Sequence, residues 1–259
     1  MGRILDWTTT LVFLPVFGLV LLVFEVVQRA AKACGKRPHD YAVACMCTSL
    51  VTAFRLTGLR LRVERSPAVH AHHPYLIISN HQSMFDIALL GHVFFTNFPK
   101  FVSKRELARR IPSVSYNLTR GGNAIIDRDD ADQAVGAIRA LGARVERNGV
   151  SAVIFPEGTR ARGGALGGFK PRGSLALLES APATEIVPVA IDDSWRLMRS
   201  NFFPIPFGVH VRVRIGDPIR RHPGEDLPAL LDRVRDEIAA MLAALRGERL
   251  HPPRLAAAR

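Results

Sequence analysis

Cysteine is the first scarcity. The chain has three, Cys34, Cys45 and Cys47, odd in number and confined to the stretch before residue 48. That excludes a disulfide framework, and the spacing lacks the repeated pairs of a structural zinc site. A reduced, cytosol-facing protein is the plain reading. Aromatic residues are few, at 7%, and they do not interleave with the basic ones. With no base-stacking pattern and no reader motif, nucleic acid is not expected as a partner. There is no GxSxG elbow, which leaves a covalent serine intermediate without support. The glycines between Gly163 and Gly168 form neither GxxxxGK[ST] nor a well-placed GxGxxG, which argues for a flexible flap instead of a nucleotide loop. His70, His72 and His73 precede Pro74 in a turn-rich stretch without a third-ligand pattern, so no metal is expected.

Positive charge is what the sequence has in excess. A net +12 over 259 residues implies an acidic partner, either nucleic acid or an anionic lipid surface. The amino terminus favours lipid. From Trp7 to Val27 only Thr8, Thr9, Thr10 and Glu25 are clearly polar. About 20 apolar residues cross a bilayer, so this run is borderline in length, and Pro15 and Gly18 are of the kind that membranes tolerate. The basic residues Arg29, Lys32, Lys36 and Arg37 follow the run, against the order of a cleaved signal peptide and in favour of a cytoplasmic end. Met1-Gly2 opens like a myristoylation site, but Asp6 stands where Ser or Thr is required. A second stretch, Tyr41 to Leu56, spaces Val43, Met46, Leu50, Val51 and Phe54 as a helix would, either dipping into the membrane or covering the domain that follows.

At 48% hydrophobic, the remainder can bury one sizeable core. Residues 1–57 are expected to form a membrane-associated helical segment, 58–246 a catalytic domain and 247–259 a tail. Strands are predicted at Arg60–Glu64 (a half-buried edge), Tyr75–Ile78, Phe98–Val102, Ala124–Ile126, Ala152–Phe155 and Ile186–Val189, and an outer one at His210–Ile215 whose Arg212 and Arg214 face headgroups or solvent. Helices are predicted at Ile87–Phe95, Ala131–Asn148, Ser174–Glu179 and Leu227–Leu245. The alternation specifies an α/β fold, a mixed sheet flanked by helices on both sides.

Two loops carry the chemistry. Tyr75–Ile78 runs into Ser79-Asn80-His81-Gln82-Ser83-Met84-Phe85-Asp86, which puts a histidine past a strand end and an aspartate five residues later. A histidine that removes a proton works best when a carboxylate fixes its tautomer. Alone, such a pair is more often a solvated or capping contact. Ala152–Phe155 runs into Pro156-Glu157-Gly158-Thr159-Arg160, where Gly158 permits close approach, Thr159 donates and Arg160 can grip a phosphate bidentately. Together they describe a base and an anion clamp acting on a phosphorylated alcohol.

Asn80-His81 with Asp86 resembles the NHxxxxD signature of glycerolipid acyltransferases, and Phe155 to Arg160 reads FPEGTR, that family's phosphate-binding signature. Gly122 to Arg128 resembles its GxxFIxR block, with Ile125 in place of the common Phe, and Ile186-Val187-Pro188-Val189 resembles its final block. Phe169-Lys170 resembles the FK that follows, although Pro171 departs from the usual basic residue. The blocks keep the family's order between Tyr75 and Ile191, nearest to the bacterial 1-acylglycerol-3-phosphate acyltransferases. The resemblance implies His81 as base and Asp86 as its orienting group, with Arg128, Thr159, Arg160, Gly158 and Lys104 around the acceptor phosphate. Glu157 would orient Arg160 or the loop backbone. It implies lysophosphatidic acid as acceptor, acyl-CoA or acyl carrier protein as thioester donor, no other cofactor, and a place on the cytoplasmic side of the inner membrane. Lyso-ornithine lipid or glycerol 3-phosphate are other acceptors the same motifs serve. A non-catalytic basic membrane-surface protein is the reading from a different class, and the intact His–Asp pair speaks against it.

Overall fold

Among the described residues seven strands form one sheet, and the alternation of their side chains builds two cores. The structure, a computed structural model, describes residues 2–127, 129–199 and 203–250. The strands are β1 (Arg60–Arg65), β2 (Leu76–Ser79), β3 (Lys100–Lys104), β4 (Ala124–Ile126), β5 (Ala152–Ile154), β6 (Ile186–Asp192) and β7 (His210–Ile215). They lie in the order β1-β7-β6-β2-β5-β3-β4, parallel throughout except for the antiparallel β6–β7 pair. The expected mixed sheet is what forms. β2 and β6 are buried along their whole length, as continuous apolar runs between two helical layers must be.

The helices are α1 (Gly2–Ala33), α2 (Lys36–Ala53), α3 (Asp86–Val93), α4 (Val114–Arg120), α5 (Ala131–Asn148), α6 (Pro171–Ser180) and α7 (Leu227–Leu250). Ile77, Val153 and Val187 turn to one face of the sheet, against Leu89 and Leu90 of α3 and against Phe13 and Phe54. Leu76, Ile78, Ile154 and Ile186 turn to the other, against Leu141 of α5, Leu177 of α6 and Ile238 of α7. The period of two along each strand does the sorting. α5 has both its predicted ends: the Asp130 carboxylate caps Gln133 N at 2.9 Å, and Gly149 closes the helix with φ 57°. α7 continues to Leu250, so the start of the expected 247–259 tail is helical, and residues 251–259 lie outside the described residues.

The second apolar stretch covers the domain. α2 buries Val43, Met46, Cys47 and Leu50, and Asp40 meets Lys100 of β3 at 2.6 Å with both side chains enclosed. The outer position predicted for His210–Ile215 is wrong. β7 lies inside the sheet between β1 and β6, and β1 takes the edge. Its arginines are consumed by neighbours, Arg212 by Asp192 at 3.0 Å and Arg214 by Glu64 at 2.6 Å. A strand with alternating Val and Arg enters a sheet when adjacent strands supply the carboxylates.

Candidate active site

The parallel neighbours β2, β5, β3 and β4 end on the same edge of the sheet. The chain leaves β2 into α3 on one face and β5 into α6 on the opposite face. Adjacent strands whose loops part to opposite faces open a crevice at their carboxyl ends. The two loops singled out from the sequence border that crevice, and Lys104, at the end of β3, lies on the same edge.

His81 is fixed on several sides. Its Nδ1 lies 2.9 Å from Asp86 Oδ2, and its ring stacks on Phe155 with centroids 4.1 Å apart and planes 16° apart. Its backbone N–H donates to Glu157 Oε1 at 2.7 Å, and its carbonyl accepts from Ala161 N at 2.7 Å. Asp86 stands at the first position of α3, fully buried, where the helix dipole favours a carboxylate. Its Oδ2 also accepts from Gln82 N at 2.7 Å and Ser83 N at 2.8 Å. Asn80 anchors the loop to the end of β6, donating to Ile191 O at 2.8 Å and accepting from Ile191 N at 2.7 Å. With Nδ1–H turned to Asp86, the lone pair sits on Nε2, which makes no hydrogen bond to another described residue. The side chain is 16% exposed, enough for a reactant to reach that nitrogen.

Glu157 links the two loops. Besides the His81 N–H, its Oε2 accepts from Gly167 N at 2.8 Å, so one carboxylate grips the histidine's backbone and the glycine-rich segment together. Burial pushes its carboxyl above the usual range, against the two N–H groups that lower it. Of the two roles expected for Glu157, holding the backbone is the one its contacts match; Arg160 is turned to Met198 Sδ at 3.3 Å. The expected loose flap is also tied down: Gln82 and Arg246 both donate to Gly164 O, and Lys170 N donates to Pro156 O.

The cations gather less tightly. Thr159, Arg160 and Lys104 are exposed at the crevice edge. Arg105 pairs with Asp127 at 2.9 Å, and the next residue, Arg128, lies outside the described residues. Gly158 adopts φ 68°, and a Cβ there would come within 3.2 Å of the Lys170 side chain, which lies over the loop. Lys170 thus lies beside the Gly158 loop although sequence reasoning gave it no role; the Phe169-Lys170 pair was its only signal. Among the described residues no three His, Cys, Asp or Glu side chains meet as a metal site would require, and His73 instead faces Glu185 at 3.5 Å.

The chain is 37% identical over 145 residues to the 1-acyl-sn-glycerol-3-phosphate acyltransferase of Helicobacter pylori, covering 56% of this chain and 55% of that protein. It is 33% identical over 177 residues to the human 1-acyl-sn-glycerol-3-phosphate acyltransferase beta, covering 68% and 62%. The matches thus span between half and two thirds of these relatives' length. In fold, the chain matches the crystal structure of the 1-acyl-sn-glycerophosphate (LPA) acyltransferase PlsC from Thermotoga maritima, with a TM-score of 0.76 at 20% identity over 95% of this chain and 98% of that one. The Acyltransferase family model matches residues 60–192, from β1 to the end of β6. With both loops inside a match that covers more than half of the chain, this protein belongs to the Acyltransferase family.

Proposed function

We propose that the protein transfers an acyl chain from a thioester to the free hydroxyl of 1-acylglycerol 3-phosphate, giving phosphatidic acid and a free thiol. The observation that carries this function is His81, oriented through Nδ1 by Asp86 and presenting an unengaged Nε2 at the crevice. The names of the relatives support the acceptor. Nε2 takes the hydroxyl proton as the oxygen attacks the thioester carbonyl. A C–O bond forms and the carbonyl oxygen becomes an oxyanion. Collapse breaks the C–S bond, and the imidazolium returns the proton to the leaving thiolate. Arg160 and Thr159, with Arg128 and Lys104, hold the acceptor phosphate, which supplies positioning more than chemistry. Acyl-CoA or acyl carrier protein serves as donor, and the step calls for no other cofactor.

The reaction takes place at the cytoplasmic face of a membrane, with α1 lying in the plane of the bilayer. Ile4, Leu11, Leu19, Leu22 and Val26 fall on one exposed stripe of α1, while Thr10, Phe13, Leu21 and Gln28 on the opposite face are buried. Both ends are fastened to the domain: Asp6 Oδ1 accepts from Phe207 N at 2.7 Å, and Gln28 donates to Ser113 Oγ at 2.7 Å. A helix held along its length cannot cross the bilayer while its domain stays in water. In-plane immersion of the exposed stripe suits both constraints.

The test is thiol release from an acyl thioester in the presence of lysophosphatidic acid, comparing wild type with His81→Ala in matched membranes. Wild-type turnover that falls by roughly 10²–10⁴-fold in the variant is the expected result. Retention of most of the rate refutes His81 as the base, and wild-type inactivity with both donors refutes the acceptor.

A further inference from the structure

Outside α1, six large apolar side chains are exposed among the described residues: Tyr41, Leu56, Val63, Met84, Phe203 and Phe207. Phe203 and Phe207, 43% and 45% exposed, are the largest pair on a single loop. That loop is fastened to the start of α1. Phe207 N donates to Asp6, and Ile205 N donates to Thr10 Oγ1 at 3.0 Å, which buries Ile205 between the two phenylalanines. The Phe207 ring lies over Gly58, where a Cβ would come within 2.6 Å of it, and Leu56 is exposed two residues earlier. Arg3 near the start of α1, and Arg55 and Arg60 on either side of Gly58, are exposed. Met198 touches both Met84 N and Arg160, which places it beside the loop that holds His81.

Two half-exposed phenylalanines on a loop bonded to the first turns of α1, with exposed arginines on the adjoining segments, have the chemistry of an interfacial anchor. We propose that Phe203 and Phe207 form a second membrane contact, entering the headgroup region of an anionic bilayer beside the first turns of α1. This contact rests on α1 lying in the bilayer plane and extends the immersed surface onto the globular domain. It would turn the crevice mouth, with Met84 at its rim, toward the lipid from which a two-tailed product and its one-tailed precursor exchange. The fixed hydrogen bonds to Asp6 and Thr10 make α1 and the loop one rigid wedge.

The test uses the full chain and vesicles of phosphatidylglycerol and phosphatidylcholine. In Phe207→Trp, the emission in excess of the parent protein, which carries Trp7 and Trp195, should shift to the blue and be quenched by lipids brominated on the acyl chain. Phe203→Ser with Phe207→Ser should lower vesicle partitioning about tenfold, since each ring then withdraws its apolar area from the interface. The rate on a short-chain acceptor dispersed without vesicles should be unchanged. Excess emission that is neither shifted nor quenched while the protein sediments with vesicles overturns the proposal. So does an unchanged partition coefficient accompanied by loss of self-association, which would assign the patch to a second copy of the chain. The emission and partitioning readouts need no acyl transfer, so they hold even where the enzymatic function fails.

Discussion

At the scale of single residues, Glu157 does what no local pattern announces. Its two oxygens each accept one backbone N–H, from His81 and from Gly167, across 76 and 10 residues of sequence. A carboxylate is the one side chain of this length with two acceptor ends and no donor. Glu157→Gln keeps the shape but sets an amide NH₂ against one of those N–H groups. Burial already disfavours the charge, so losing it recovers part of the desolvation cost. The unpaired N–H then decides the outcome, at about 1–3 kcal/mol. We expect Glu157→Gln to lower kcat by roughly 10-fold or more with little change in the circular dichroism spectrum, because the His81 backbone loses its fixed position. Thiol release at saturating acceptor measures it, and an unaltered kcat would remove Glu157 from the positioning of His81.

At the scale of elements, α2 and β3 are joined by a buried polar cluster that the mechanism does not use. Lys100 and Asp40 form an ion pair with both side chains enclosed, and His39 beside them is fully buried with neither ring nitrogen bonded. Burial, helped by the charges of Lys100 and Lys32 and opposed by Asp40, lowers the His39 pKa from 6.5 to about 4. The sign follows from linkage: the folded state binds the proton less well than the unfolded state, so stability present above pH 6.5 is lost as pH falls toward 4. Between pH 7 and pH 5 this one group should cost about 2 kcal/mol. His39→Phe, which fills the space against Tyr116 without titrating, should make the denaturant midpoint less sensitive to pH over that interval. Equal acid sensitivity in variant and wild type would show that other groups govern it.

Elements also mark where the sequence stopped being legible. The ends of α5 are written locally, in Asp130 and Gly149, and β2, β5 and β6 are apolar runs that need two covered faces. His81 and Asp86 are five residues apart, so one turn into α3 brings them together. The place of β7 in the sheet depends instead on carboxylates from Glu64 and Asp192, far away in the chain. The Asp40–Lys100 pair spans 60 residues and the Glu157–His81 bond 76, and no periodicity reports such partners. Pairings of that kind are fixed by topology, which a local pattern constrains only loosely.

At the scale of the whole molecule, the proposed membrane binding divides into two separable contributions, charge and apolar surface. On that proposal the net +12 should draw the protein to anionic lipid over a distance set by ionic strength, with a Debye length of about 8 Å in physiological salt. The α1 stripe acts only on contact and is insensitive to salt, since it withdraws apolar area from water. Raising salt to about 0.5 M should therefore weaken binding to phosphatidylglycerol vesicles and leave a residual affinity. Leu11→Ser with Leu22→Ser, at 61% and 58% exposed sites on that stripe, should remove the residual while the steepness of the salt dependence stays the same. The substitutions face away from Phe13, Leu21 and Gln28, so the folded domain should keep its thermal midpoint. Vesicle sedimentation across a salt series separates the two contributions. If the double variant changed the salt slope instead of the plateau, charge alone would hold the protein at the membrane and α1 would be a packing helix. A plateau that falls with an unaltered slope makes α1 the element that keeps the crevice at the bilayer once charge has delivered it there.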